Sequence, residues 1–217
     1  MSVSSLRPSR RGWVTVVSAV AASLALSACA PLLVGGAAVT TAVVVTDRRT
    51  SGAQLEDQGI ELRASSRLRE EVGSRVRVNV TSYNRRVLLT GEVPNERDKA
   101  LVAEIVGKVD NVTEVINELD VVSSPSLRER AADTVTSGRV RASIFDAKDL
   151  SVSAFRFVTE RGTVYMMGRV TQREADRATE IVRNTQGVQR VVRVLEIITE
   201  EELRRLQPSS AEAPAAR

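Results

Sequence analysis

The feature that most limits what this chain can become is an internal repeat. Val87-Leu88-Leu89-Thr90-Gly91-Glu92-Val93 is matched position for position by Val164-Tyr165-Met166-Met167-Gly168-Arg169-Val170, and Glu104-Ile105-Val106 by Glu180-Ile181-Val182. Whatever the first copy folds into, the second must fold into as well. In the first copy Val76-Arg77-Val78-Asn79-Val80-Thr81 alternates strictly, the period of a half-buried strand. Tyr83-Asn84-Arg85-Arg86 turns the chain, and the residues from Val87 to Val93 return it as a second strand. Pro94-Asn95 opens a helix with Leu101, Val102, Ile105, Val106 and Val109 on one face. After Asp110-Asn111 a third strand steps through Val115, Asn117, Leu119 and Val121. A helix over residues 55–72 precedes all of this, with Ile60, Ala64, Leu68 and Val72 four apart.

The succession returns after Ser123-Ser124-Pro125-Ser126. A helix carries Ala131, Val135, Gly138, Ala142 and Phe145 at 4-3-4-3 spacing, a strand puts Phe155 and Phe157 on one face, and Arg161-Gly162 turns. Gly187-Val188 opens the last strand, and Thr199-Glu200-Glu201-Glu202 starts a short final helix with a capping pattern. Each copy therefore reads α-β-β-α-β. Because a helix joins the second strand to the third, those two run parallel and the first runs antiparallel to both. Two helices then cover one face of a three-stranded mixed sheet, an α+β sandwich of two layers. Strand order is left open. Gly91 and Gly168 read as bends at which a Cβ would collide. The two copies read as separate folding units joined near residues 123–125, the second able to fold when expressed alone.

The start of the chain has a different composition. Arg7, Arg10 and Arg11 precede an apolar run over residues 14–25, and Leu26-Ser27-Ala28-Cys29 closes it. That is a signal peptide ending in a bacterial lipobox, with small residues before the cut and the thiol of Cys29 as the acceptor for lipid. The apolar run is too short to span a bilayer. Its removal takes three arginines and no acids from a formal net charge of +4, so the basic balance belongs largely to the discarded segment. Ala30 follows the cysteine, and its lack of charge favours the outer membrane over the inner. A second apolar run over residues 31–45 reads either as a membrane-hugging tether or as a strand packed on a domain, with Thr46-Asp47-Arg48-Arg49-Thr50-Ser51-Gly52 a polar linker behind it. The expected division is a signal peptide over 1–28, a tether over 29–54, domains over 55–122 and 126–199, and a short helix with a disordered tail over 200–217.

The composition argues against catalysis. There is no histidine, which removes triads and the usual general base near neutral pH, and the single cysteine is committed to lipid. No disulfide, metal site or cofactor other than the covalent lipid on Cys29 is expected. Aromatic residues are 3% of the chain, too few for base stacking, and no phosphate-binding glycine loop is present, so neither nucleic acid nor a small-molecule substrate is expected. Counted separately, the first repeat carries a slight excess of acids and the second a slight excess of arginines.

The duplicated Val-x-Leu-x-Gly-x-Val motif, with Gly-Val before the last strand, resembles the BON domain family. Two such domains behind a lipobox are similar to that family's outer-membrane lipoproteins. Thr46-Asp47-Arg48-Arg49, Arg77-Val78-Asn79-Val80-Thr81-Ser82-Tyr83 and Gly168-Arg169-Val170-Thr171-Gln172-Arg173-Glu174-Ala175 extend the resemblance. It implies an outer-membrane protein facing the periplasm, anionic phospholipid bound by the second domain, and a role in envelope integrity. The alternative is an adaptor for outer-membrane assembly proteins without direct lipid contact, with Tyr165, Met166 and Met167 as an adaptable surface; their other reading is core filling.

By the same resemblance, the first helix of the second domain makes the lipid contact. Its own residues offer Val135, Arg139, Arg141 and Ile144 as the phospholipid-binding set, arginines for headgroups and apolar side chains for acyl chains. Phe145 adds apolar surface beside Ile144. Against this stands the reading that Val135, Ala142 and Phe145 simply face the sheet.

Overall fold

The computed structural model describes residues 47–122 and 127–206. The signal peptide, Cys29, the apolar run over 31–45, the 123–126 linker and the tail from Gln207 lie outside the described residues.

Helix α1 runs from Ser51 to Glu71, starting four residues before the expected position 55, because the Thr50 hydroxyl caps it by accepting from the Ala53 amide. Strands β1 (Arg77–Tyr83) and β2 (Arg86–Val93) form a hairpin. Its two turn residues, Asn84 and Arg85, both have positive φ (51° and 67°), the conformation that matches the twist of a two-residue hairpin. Helix α2 (Glu96–Gly107) is capped by Asn95, and β3 (Glu114–Val121) completes the unit. The second unit repeats it: α3 (Leu127–Asp146), β4 (Phe155–Glu160), β5 (Thr163–Thr171), α4 (Gln172–Arg183) and β6 (Arg190–Ile198), with α5 (Glu200–Leu206) appended.

Both sheets have the sequence-central strand in the middle, in the orders β1-β2-β3 and β4-β5-β6. β1 pairs antiparallel and β3 parallel to β2, and the second sheet does the same around β5. The expected directions hold, and the order left open is now fixed. Alternate residues of β2 divide between two cores. Val87, Leu89 and Val93 face the helices with Ile60, Ala64 and Val102. Val164, Met166 and Val170 face Val140, Ile144 and Val182 in the second unit, where the rings of Phe155 and Phe157 stack with centroids 5.7 Å apart.

The intervening residues make a third core. Tyr83 and Leu88 from the first sheet meet Tyr165, Met167 and Val194 from the second. The helix-free faces of the two sheets thus pack on each other, giving four layers in the order helix, sheet, sheet, helix. The two repeats thus share a core besides having one each: strands apolar on both faces need cover on both, and each repeat supplies it to the other. Tyr165, Met166 and Met167 are buried core, not contact surface.

Polar pairs ring the shared core. Arg77 bonds Glu92 within its hairpin and Glu160 across the boundary, Asn84 donates to Glu196 at 2.7 Å, and Arg156 pairs with Glu61 at 3.1 Å. The segment expected to be a polar linker is part of this ring. Arg48 donates to both oxygens of Glu174 at 2.7 Å and to the Arg169 carbonyl at 2.9 Å. Arg49 pairs with Asp47 and Asp57 and stands 4.1 Å over the Tyr83 ring.

Candidate membrane-binding surface

Helix α3 is oriented by one carboxylate. Asp133 accepts from the backbone amides of Arg161 at 2.8 Å and Gly162 at 2.9 Å, pinning the helix to the tip of the β4–β5 hairpin. Asp57 does the same in the first unit, accepting from the amides of Asn84 and Arg85 and from the Ser82 hydroxyl. The two aspartates hold the same place in the repeat. That shared place is their only trace in the sequence, too slight to mark them out among so many acids.

With Asp133 turned inward, Thr136, Val140 and Ile144 follow at intervals of three, four and four and are buried against the sheet. The Ser137 hydroxyl donates to Thr159 at 2.8 Å on the same side. The 4-3-4-3 stripe therefore points the other way. Val135 is 52% exposed and Phe145 75%, while Ala131, Gly138 and Ala142 on the same line are also exposed. A Cβ added at Gly138 would meet nothing within 4 Å, so no packing demand accounts for that glycine. The reading in which Val135, Ala142 and Phe145 face the sheet is overturned.

Of the four expected contact residues, three lie at the surface and one does not. Val135, Arg139 and Arg141 are exposed. Ile144 is completely buried in the second core and cannot reach an acyl chain while the helix is folded. Phe145, one position on, takes its place at the surface. Neither Arg139 nor Arg141 has a hydrogen-bond or ion-pair partner among the described residues, in a molecule where most arginines are paired. Two bare guanidinium groups beside a row of exposed apolar side chains can attract an anionic surface and then enter its apolar margin.

The remaining chemistry is sparse. Among the described residues no group of three acidic, cysteine or histidine side chains is placed to hold a metal ion. No helix among them is long and apolar enough to cross a membrane. Burial pushes the Tyr165 phenol up to about 12, so it stays neutral and serves packing.

Comparison with known proteins agrees with this architecture. The family described as BON domain matches residues 56–123 and again 124–199. The chain is 32% identical over 179 residues to "Outer membrane lipoprotein DolP" of Haemophilus influenzae, covering 82% of this chain and 92% of that protein. It is 25% identical over 154 residues to "21 kDa hemolysin" of Actinobacillus pleuropneumoniae, covering 70% of this chain and 79% of that one. Among solved structures, CdsD of the Chlamydia trachomatis type III secretion system aligns over 70% of this chain and 98% of its own, at 12% identity and a TM-score of 0.28, too slight a likeness to argue from.

Proposed function

The chain belongs to the BON domain family, and from that premise we propose that it is a non-enzymatic outer-membrane lipoprotein, anchored through Cys29 and facing the periplasm, whose second domain binds anionic phospholipid and so supports envelope integrity. The observation that carries the lipid reading is the outer face of α3, where Val135 and Phe145 stand exposed beside unpaired Arg139 and Arg141. An attraction built on two surface arginines is worth about 1 kcal/mol for each near an anionic membrane and weakens with salt. The lipid anchor makes such weak binding sufficient, because it holds the helix close to the leaflet at all times.

The test removes the anchor and asks whether the folded body still finds the membrane. The chain from residue 46 onward, which also lacks the apolar run over 31–45, should float with phosphatidylglycerol vesicles at low salt and stay behind with phosphatidylcholine. Replacing Arg139 and Arg141 together by Glu is expected to abolish flotation without loss of circular dichroism signal. Equal flotation of that variant would move the lipid contact away from α3, and a parent chain that fails to float would favour the adaptor reading. A surface suited to the adaptor role is present on the opposite outer layer, where Leu55 and Leu62 of α1 are each more than two-thirds exposed.

Anchoring itself should depend on one atom. Cys29→Ser is expected to leave a full-length precursor that incorporates no labelled fatty acid. Normal processing and acylation of that variant would exclude Cys29 as the acceptor.

A further inference from the structure

The two repeats differ most where their backbones agree. In the first, Arg63 of α1 is engaged: it donates to Glu56 at 2.6 Å and to the Asp110 carbonyl at 3.4 Å, and Asn111 donates to the same Glu56 oxygen at 3.0 Å. Asn111 and then Arg63 hold the Glu56 carboxyl below the usual carboxylate range. These side chains close the gap between the first helix and the loop before β3.

Aligning the units by their hairpin aspartates and by strand register places Ala132 where Glu56 stands, Arg139 where Arg63 stands and Gly187 where Asn111 stands. The last pair shares a positive φ, 69° at Asn111 and 98° at Gly187, which confirms the equivalence. In the second unit the acid and the amide are gone and the arginine remains. The gap is open there, a hollow of about 750 Å³ between α3, the Arg161-Gly162 turn and the Gly187–Gln189 loop.

We propose that this hollow seats an anionic phosphate group, the phosphodiester of an acidic phospholipid headgroup, which gives Arg139 the counter-charge that Glu56 gives Arg63. The inference rests on the lipid reading above and names the seat within it. Its rim has the right two halves. Arg139 stands on one side and Arg161 on another, the latter held only at 3.9 Å by Asp120. Val135 and Ala131 form the apolar lip, and Val135 heads the exposed stripe that ends at Phe145, so a seated headgroup directs its acyl chains along α3. The acids in the lining are already engaged: both oxygens of Asp133 take backbone amides, and Glu129 has a partner of its own. A Cβ at Gly187 would stand 2.4 Å from the Thr136 hydroxyl, so glycine there lets the loop close against α3 at the base of the hollow.

Ala132→Glu tests this by rebuilding the first repeat's closure in the second. Ala132 is an exposed helical position, so the change costs little fold, which circular dichroism verifies. With the chain from residue 46 onward, Ala132→Glu should weaken partition onto phosphatidylglycerol vesicles about tenfold or more, the scale of one charge-assisted hydrogen bond, while Ala132→Gln leaves it within about twofold. Inorganic phosphate, carrying the same chemistry without acyl chains, should shift the amide resonances of Arg139 and Gly187 in the parent chain and not in Ala132→Glu. Phosphate shifts without any change in vesicle partition would overturn the headgroup assignment in favour of a soluble phosphate. Parent-like partition of Ala132→Glu, where Arg139→Glu with Arg141→Glu has lost it, would overturn the seat and leave the lipid reading intact. If the double reversal also binds, the assignment of lipid binding to α3 falls as well.

Discussion

Gly91→Ala is expected to unfold the first domain. The added Cβ would stand 2.1 Å from the Arg77 carbonyl oxygen, inside the β1–β2 ladder where Gly91 opposes Val78. No side chain can move aside, because the obstacle is backbone. The φ of +120° adds strain for any residue with a Cβ. The two effects together put the loss above about 4 kcal/mol, the upper tail for a single substitution. The shared core should transmit the damage, so the second domain melts at lower temperature too. Gly168→Ala meets the same obstacle, the Ala154 carbonyl at 2.4 Å, at the equivalent place. The contrasting control is Gly138→Ala, in a helix with open space around it, which should raise stability by about 0.5–1 kcal/mol. A Gly91→Ala protein that melts within a few degrees of the parent would show that β1 can shift away, and would contradict the close pairing of β1 with β2.

Arg48→Ala should be nearly as damaging, although the residue precedes both domains. Arg48 and Glu174 are 9% and 5% exposed, and their bidentate pair joins the chain's entry point to the start of α4. Glu174 also serves the helix cap, accepting from the Thr171 amide at 3.0 Å. Removing the arginine leaves a buried carboxylate without its counter-charge, at a cost of about 3–5 kcal/mol. For a body of this size that lowers Tm by roughly 10 °C. The double change Arg48→Ala with Glu174→Gln should recover part of the loss, since no charge is then stranded.

The pH dependence gives a second readout. Burial pushes the Glu174 carboxyl up, but the bonds from Arg48 and Thr171 outweigh it, and the group sits below the usual carboxylate range. A depressed folded-state pKa contributes stability that is present above the unfolded value and is lost as pH falls through the folded one. The parent should therefore keep this contribution from neutrality down to about pH 4 and lose it in stronger acid. Without Arg48 burial dominates, the carboxyl moves above its unfolded value, and the sign reverses. Arg48→Ala should thus gain stability between pH 7 and pH 5, where the parent does not. Parallel melting curves for the two proteins over that window would mean Glu174 keeps its low pKa without Arg48.

The order and type of the elements and the strand directions are legible in the chain before it folds. They follow from interactions within a few residues: alternation in Arg77–Tyr83, the turn at Asn84-Arg85, the cap at Asn95. Even the close approach at Gly91 and Gly168 is legible, because glycine recurring at one fixed place in two apolar strands marks a point where a Cβ has no room. Other features needed the folded body. A helical period is plain in α3, but two lines of residues satisfy it, Val135 to Phe145 and Thr136 to Ile144. The choice between them belongs to Asp133, whose bonds to a hairpin 28 residues away set the rotation of the helix. Ile144 and Phe145 exchange places for that reason. The pairing of Arg48 with Glu174 spans 126 residues, and the shared core joins strands from both repeats. Consecutive apolar residues in β2 and β5 hint that both faces are covered, without naming the cover. Long-range contacts select among local patterns that are each self-consistent, so a chain read locally yields the parts and the folded body decides which of their faces remain free to act.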